Sequence, residues 1–334
     1  MPTDKDELDA TIEEPLDPSL PICDAHHHLW YNTDNGYTVE DLLQDISGGH
    51  HISRTVFVES GLMLREDAAP EMKPVGETEF VRKVTARARR NTGNIPAVAA
   101  GIVGFADLTL GDYVMPVLEA HIAAGKKRFR GIRNITAWDA SPALKSRRAA
   151  LPGLLMDRKF RRGFAALRRY GLSFDAWVYH TQLAEVVDLA REFPDTRVIV
   201  NHIGGPLGIG PYARKRDEVF QDWKRSISEL AECANVSIKL GGLGMRIFGF
   251  GWHEAEKKPS SAELAGVFEP FFLWCIERFG VDRCMFESNF PVDKAAYSYT
   301  AVWNAFKRVT AGFSRDERLA LFYNTAVNAY RLGD

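Results

Sequence analysis

Short apolar runs alternate with amphipathic stretches along most of this 334-residue chain. Eight of the runs have the length of strands and are rich in the residues that strands favour. They are Ile22–Leu29, Thr55–Ser60, Ala97–Phe105, Phe129–Asn134, Ser173–His180, Arg197–Ile203, Val236–Leu240 and Arg283–Asn289. Strands that alternate with helical stretches predict a parallel sheet whose connections are helices.

The stretches between the runs carry helical signals. In residues 183–193 the apolar positions recur at helical spacing and form one stripe. Ser260 with Glu263, and Ser314 with Glu317, have the spacing of a capping box, which predicts a helix start at each serine.

Eight strands are the number that closes a (β/α)8 TIM barrel, so we predict an α/β barrel in one domain over residues 21–334. Residues 1–20 are acidic and contain three prolines, which predicts an N-terminal extension. A doubly wound open sheet is the second interpretation. It would require a glycine-rich phosphate loop after the first strand, and the sequence has none there.

Composition narrows the class of protein. The net charge of −2 predicts no nucleic-acid partner, and no apolar run approaches the roughly 20 residues of a membrane span. Four widely spaced cysteines without a C-x-x-C pair, and a start without an apolar signal segment, favour reduced thiols and a cytoplasmic protein. A small-molecule substrate is the expected partner, and a homo-oligomer is left open.

Three long connections, 61–76, 135–156 and 243–260, each follow a strand and precede a helix. In a barrel such connections lie at the C-terminal face, where active sites are found. We therefore expect them to shape a substrate pocket.

The most informative candidate chemistry lies in the first run, which reads Asp24-Ala-His26-His27-His28. Side chains of a strand alternate between its faces, so we predict that Asp24, His26 and His28 share a face and that His27 points away. Two imidazoles placed in this way can bind one metal ion or one polar substrate.

Other strands also end in polar residues, which a barrel would bring together at one face. They are Glu59, Arg130, Arg133, His180, His202, Lys239, Glu287 and Asn289, with Asp293 in the following loop. His202 opens a glycine loop that would expose its imidazole. For Lys239 and Glu287 we favour a buried ion pair over a catalytic role.

Five segments in this order resemble the amidohydrolase superfamily and, within it, the lactonase-like branch that includes sugar-acid lactonases and 2-pyrone-4,6-dicarboxylate lactonase. They are Asp24-Ala-His26-His-His28-Leu-Trp30, Phe129-Arg-Gly-Ile-Arg133, Asn201-His202-Ile-Gly-Gly-Pro206, Ile238-Lys-Leu-Gly-Gly-Leu243 and Met285-Phe-Glu-Ser-Asn-Phe-Pro291. The chain departs from the family pattern at Asn289 and Asn201, where aspartate is usual. An amide can neither accept a proton nor bind a metal ion as a carboxylate does.

The resemblance implies a hydrolase that opens a small lactone or related ester by water attack at the C-terminal face. His26, His28 and His202 would hold one divalent metal ion, zinc rather than manganese, and a metal-free site is left open. His202 is the first catalytic candidate. The remaining candidates are Asn289, Asp293 and Glu59 for catalysis, and Arg133, His180 and Arg130 for substrate binding.

Two alternatives to a lactonase remain open. One is a metal-dependent non-oxidative decarboxylase of the same superfamily. The other is a catalytically silent binding barrel, which Asn201 and Asn289 would favour.

Overall fold

The computed structural model describes residues 13–31, 33–34, 36–92, 96–145 and 150–333. Within these residues, one sheet of eight parallel strands follows the order of the chain. The strands are β1 Ile22–His27, β2 Ile52–Val58, β3 Ala97–Gly104, β4 Phe129–Ile135, β5 Ser173–Trp177, β6 Val198–Val200, β7 Val236–Leu240 and β8 Cys284–Phe286.

The two edges of the sheet meet between β1 and the segment after β8. His28 N donates to Phe290 O at 2.7 Å, and Asn289 N donates to His26 O at 2.9 Å. The sheet is thereby a nearly closed barrel with helices between its strands, which confirms the predicted (β/α)8 fold.

Helices cover the outside of the barrel. They are α1 Val39–Ile46, α2 Val75–Thr92, α3 Met115–Gly125, α4 Arg158–Arg169, α5 Leu183–Glu192, α6 Arg216–Ala231, α7 Ser261–Phe279, α8 Tyr299–Val309, α9 Arg315–Leu319 and α10 Thr325–Tyr330. Both predicted capping boxes are confirmed: Ser260 caps α7 together with Glu263, and Ser314 caps α9 together with Glu317. Each box satisfies backbone N–H groups that the first turn of a helix leaves free.

The N-terminal end of the barrel is closed by the end of the chain. Ala326, Ala329, Tyr330 and Leu332 form one buried cluster with apolar side chains of the strands, among them Cys23. The guanidinium of Arg54, near the start of β2, also donates to Leu332 O at 2.8 Å. Because this end is filled, the functional site is expected at the opposite, C-terminal end of the strands.

Residues 13–20 run along the outer layer. Leu16 N donates to Asn304 Oδ1 at 2.7 Å, and Lys307 Nζ donates to Leu16 O at 2.7 Å and to Asp17 O at 2.9 Å. Both partners are on α8, so this part of the predicted extension is bound to the barrel. The remainder of the extension, residues 1–12, lies outside the described residues. Among the helices of the described part of the chain, none has the length and apolar character to span a membrane.

Candidate active site

An irregularity in β1 decides which side chains reach the site. Between Asp24 and His27 the strand advances three residues while β2 advances two, from Thr55 to Phe57. Such a bulge reverses the alternation of side chains beyond it. Asp24 therefore turns away from the histidines and accepts hydrogen bonds from Ser288 Oγ at 2.6 Å and Tyr299 OH at 2.9 Å. The prediction that Asp24 shares the face of His26 and His28 was wrong for this reason.

The structure brings together His26, His28 and His202, which we call the histidine cluster. The ring centroids of His26 and His28 are 4.8 Å apart, and those of His26 and His202 are 4.7 Å apart. All three rings are buried. His27 points elsewhere, as predicted, and its Nε2 lies 2.9 Å from Thr55 Oγ1.

His202 is held by one carboxylate. Its backbone N–H and its Nδ1 both lie within hydrogen-bond distance of Glu287 Oε1, at 3.0 and 2.7 Å. Because a carboxylate oxygen only accepts, Nδ1 carries the proton and Nε2 has the free lone pair. An imidazole oriented in this way by a carboxylate is suited to take a proton from water or to bind a metal ion.

Two glycines after β7 make room for this pair. A Cβ on Gly241 would lie 2.5 Å from Glu287 Cγ, and a Cβ on Gly242 would lie 2.4 Å from His202 Nδ1. Any side chain at either position would therefore displace the carboxylate or the imidazole. The Gly-Gly step that follows Leu240 is thus required by the site.

The backbone around the site is strained at residues other than glycine. His202, Ile203 and Asn289 have φ values of 51°, 50° and 56°, in the left-handed region that β-branched residues in particular avoid. Ile203 is held there in part by Trp223, whose Nε1 donates to Ile203 O at 2.7 Å. Strain that the surrounding structure maintains is a common property of functional sites.

Hydrogen bonds also order the other two histidines. His28 Nδ1 lies 2.8 Å from Val58 O, so it carries a proton and leaves Nε2 as an acceptor. His26 Nε2 lies 3.2 Å from that acceptor, and Lys239 Nζ lies 3.3 Å from His26 Nδ1. The three contacts therefore form one chain of hydrogen bonds, in which Lys239 donates to His26, His26 donates to His28, and His28 donates to Val58 O.

Burial sets the charge of the cluster. It lowers the pKa of His26 and His28 well below the usual 6.5, with the charges of Lys239 and Arg133 respectively acting in the same direction. Burial also lowers the pKa of His202, although Glu287 opposes the shift. All three imidazoles are therefore neutral near pH 7, the form that accepts protons and binds metal ions.

Arg133 places a second cation beside the cluster, in addition to Lys239. Its Nε donates to Glu59 Oε1 at 2.9 Å, its Nη2 donates to Glu59 O, and its Nη1 lies 3.4 Å from His26 Nε2. Glu59, a predicted catalytic residue, is thus placed as the partner that fixes this guanidinium. A fixed guanidinium beside the histidines can bind a carboxylate or a developing negative charge.

Lys239 and Glu287 do not form the predicted pair. Lys239 Nζ lies 2.8 Å from Asp175 Oδ2, which also accepts from Asn201 Nδ2 at 3.0 Å and from Tyr330 OH at 2.7 Å. Glu287 is instead the partner of His202. Reasoning from sequence missed Asp175, although a charged residue inside the apolar run 173–177 signals a buried partner.

Asn289 and Asp293, two predicted catalytic residues, contact each other. Asn289 Nδ2 donates to Asp293 Oδ1 at 2.9 Å, while Tyr297 OH and Gly244 N donate to Asp293 Oδ2 at 2.6 and 3.1 Å. Burial raises the pKa of Asp293 to about 7, despite these hydrogen bonds, which lower it. Asp293 is therefore a buried carboxyl with all of these donors directed at it.

We expect Asn289→Asp to destabilise the protein increasingly as pH rises. The new carboxylate would face Asp293, and two adjacent buried carboxyls can keep only one negative charge. Their folded-state pKa values then lie above the unfolded values, so stability is lost as pH rises toward the folded pKa. Urea unfolding at pH 5 and pH 8 should show an added loss of about 1–3 kcal/mol at the higher pH.

Asn289→Gly is the control for that variant, because glycine removes the amide without strain at a positive φ. Its stability loss should increase with pH less steeply than that of Asn289→Asp, because it removes one donor to Asp293 without adding a charge. Parallel pH profiles for Asn289→Asp and the wild type would contradict the expectation.

Two predicted substrate-binding residues lie apart from the cluster. His180 accepts from Leu207 N at 3.4 Å through Nδ1, and its ring packs against Tyr212. Arg130 is the second residue of β4, toward the N-terminal end of the barrel, where Arg331 Nη2 donates to its carbonyl oxygen at 3.1 Å. The structure thus brings Arg133 to the histidines and leaves Arg130 near the other end of the strand.

The residues present fit a divalent metal ion. Among the described residues, His26, His202 and Glu287 each offer one donor atom, all within 4.8 Å of one another. Glu287 Oε2 is buried, lies 2.9 Å from His26 Nδ1 and has no hydrogen-bond partner. Imidazole and carboxylate donors suit zinc.

Comparisons with known proteins identify the family of the chain. A family model described as amidohydrolase matches residues 23–332. The chain is 33% identical to an uncharacterised protein, y4mH, from Sinorhizobium fredii (strain NBRC 101917 / NGR234), over 94% of this chain and 99% of that protein. It is 27% identical to an L-fucono-1,5-lactonase from Burkholderia ambifaria, over 92% of this chain and 95% of the lactonase.

A solved amidohydrolase from Burkholderia multivorans with bound zinc superimposes with a TM-score of 0.70 at 22% identity, covering 93% of this chain and 99% of that one. At this identity the likeness establishes the fold. Because the family model covers nearly the whole barrel, and the y4mH match extends over nearly the whole chain, the protein belongs to the amidohydrolase family of hydrolases.

Proposed function

We propose that this protein opens a small lactone or related ester by attack of water at the C-terminal end of the barrel. The observation that carries the proposal is the orientation of His202, whose Nδ1 is bound by Glu287 so that Nε2 is free in a buried cluster. The similarity to an L-fucono-1,5-lactonase supports lactones of sugar acids as the substrate class.

The contacts of His202, Glu287 and Arg133 indicate the steps of the reaction. His202 Nε2 takes a proton from water as the oxygen attacks the lactone carbonyl, and Glu287 stabilises the imidazolium that forms. Collapse of the tetrahedral intermediate breaks the ring C–O bond, and His202 returns the proton to the leaving alkoxide. The products are one hydroxyl and one carboxyl group. Arg133, held by Glu59, stabilises the negative charge on the carbonyl oxygen.

Glu59 and Asp293 are weaker candidates for the base. Glu59 already neutralises Arg133, and both oxygens of Asp293 accept hydrogen bonds. A lactone suits a neutral imidazole as base, because its carbonyl is more electrophilic than that of an amide.

A metal ion is compatible with this site. His26, His202 and Glu287 would hold it, and it would polarise the carbonyl or lower the pKa of its bound water to about 7. His202 would then be a ligand instead of the base. Metal analysis of the purified protein, together with activity after chelation, distinguishes the two arrangements.

The pH profile distinguishes them independently. If neutral His202 is the base, activity falls only when His202 is protonated, and burial lowers its pKa below 6.5. We therefore expect kcat/KM to remain constant down to about pH 6.5 and to decline below it. An acid limb near pH 7 or above would contradict a free imidazole base and favour metal-bound water.

The proposal is tested on a panel of lactones that includes L-fucono-1,5-lactone, other aldonolactones and 2-pyrone-4,6-dicarboxylate. Acid release is followed with a pH indicator. We expect turnover of at least one sugar-acid lactone, with loss of turnover in His202→Ala. A second panel, of aromatic carboxylic acids, is assayed for release of carbon dioxide. Decarboxylation without lactone hydrolysis would favour the decarboxylase, and no activity on either panel would favour the silent barrel.

A further inference from the structure

A cavity lies far from the histidine cluster, near the N-terminal ends of β3 and β4. It has a volume of about 480 Å³ and is bounded by the second half of α2, the start of β3 and the segment that leads into β4. These are the N-terminal ends of the strands, so the cavity opens at the end of the barrel opposite the candidate active site. We call it the basic pocket.

The charges of the basic pocket are of one sign. Five of its lining residues are cationic and none is acidic: Arg82, Arg89, Lys126, Lys127 and Arg128. Among the described residues, none of the five forms an ion pair with a carboxylate, although the charge of Arg82 contributes to lowering the pKa of Glu79. The acid nearest along the chain, Glu79, lies one turn before Arg82 and is bound by two nitrogens of Arg65.

In the described part of the chain, Arg128 is fixed at the wall of the pocket by hydrogen bonds to neutral groups. Its guanidinium donates to Thr85 Oγ1 at 2.8 Å, to Arg82 O at 2.9 Å and to Ala99 O at 3.4 Å. Burial lowers its pKa to about 10, and the charges of Arg82 and Arg89 act in the same direction. A positive charge held in place against its like neighbours is a charge that an anion would stabilise.

Arg82 is the other partly buried arginine that lines the pocket. Its Nε is buried and has no hydrogen-bond partner in the described part of the chain. Buried N–H groups without an acceptor are uncommon in folded proteins. Because Nε is shielded from the cavity, an anion in the basic pocket would interact with the charge of the Arg82 guanidinium and not with Nε itself.

Helix dipoles do not account for the charge. The pocket lies at the C-terminal ends of α2 and α3, where cations are favourable. Each helix end carries roughly half a negative charge, so two ends offset about one positive charge. The pocket contains five, which leaves a large excess.

The floor of the basic pocket is apolar and is formed by Ala86, Pro96, Ala97, Val98 and Ala100. A cationic rim over an apolar floor fits a ligand with phosphate groups on an uncharged body. We propose that the basic pocket binds a small organic phosphate, independently of the reaction at the histidine cluster. A concave site with a fixed arginine also distinguishes it from a flat nucleic-acid surface.

The proposal is tested by calorimetry on the full chain with two probes, inorganic pyrophosphate and adenosine diphosphate. We expect one site for each, with adenosine diphosphate binding more tightly because its nucleoside lies on the apolar floor. Affinity should fall with added salt, since the contacts are ionic. In Arg89→Gln/Lys127→Gln, which removes two exposed cations, both probes should bind about tenfold more weakly or worse.

A matched control separates the pocket from general charge. Lys83→Gln/Arg87→Gln removes the same charge from exposed positions of α2 that do not line the pocket. Its affinity for both probes should equal that of the wild type. Equal weakening in the two double variants, absence of binding, or pyrophosphate binding as tightly as adenosine diphosphate would overturn the proposal. Hydrolysis at the histidine cluster should be unchanged in both variants.

Discussion

Glu287→Gln is expected to lower kcat by about 10²–10⁴-fold while the protein remains folded. The carboxylate fixes the proton of His202 on Nδ1, so that Nε2 can accept. A glutamine at this position can present its NH₂ group to Nδ1, which moves the proton to Nε2 and removes the base. If the cluster holds a metal ion, the same change removes a ligand, and kcat falls for that reason.

The measurement is kcat on the best lactone, with thermal unfolding to confirm the fold. Glu77→Gln is the matched control, because Glu77 is also a buried glutamate that accepts several hydrogen bonds, from Ser60 N, Ser60 Oγ and Leu62 N. It contacts none of the three histidines in the described structure, and its kcat should stay within a few fold of the wild type. A Glu287→Gln enzyme with wild-type kcat would show that His202 is not the base.

The sequence was sufficient for the barrel because local signals and global order agree. Eight strand-like runs, helical stripes between them and two capping boxes each predict the element that the structure contains. Where the prediction failed, a local irregularity was responsible. The bulge between Asp24 and His27 adds one residue to β1, and no composition signal marks it.

The site was predictable in part for a related reason. Polar residues at strand ends converge in any parallel barrel, so the meeting of His26, His28, His202 and Arg133 follows from topology. The choice of partners does not follow from it. From its position after β8, Glu287 could reach either Lys239 or His202. The register between β7 and β8, together with the space left by the two glycines after β7, places it against His202.

The second large effect concerns the buried ion pair between Lys239 and Asp175. Lys239→Met is expected to destabilise the protein by about 3–5 kcal/mol, because it leaves the Asp175 carboxylate buried without its cation. Both side chains are fully buried, with the nitrogen and oxygen 2.8 Å apart. Asn201 and Tyr330 still donate to Asp175 in this variant, but neither carries a charge that neutralises it.

The double variant Asp175→Asn/Lys239→Met separates the value of the pair from the cost of breaking it. With no charge left to bury, it should recover most of the stability lost in the single variant, since a buried pair offsets its own desolvation only in part. Lys294→Met is the surface control: its partner Asp45 is partly exposed, and the expected loss is about 0–1 kcal/mol. Urea unfolding of all three variants provides the measurement.

Since Lys239 also lies 3.3 Å from His26 Nδ1, the recovered double variant should remain folded yet hydrolyse lactone more slowly, because His26 has lost its donor. Wild-type turnover in the double variant would show that Lys239 serves stability alone.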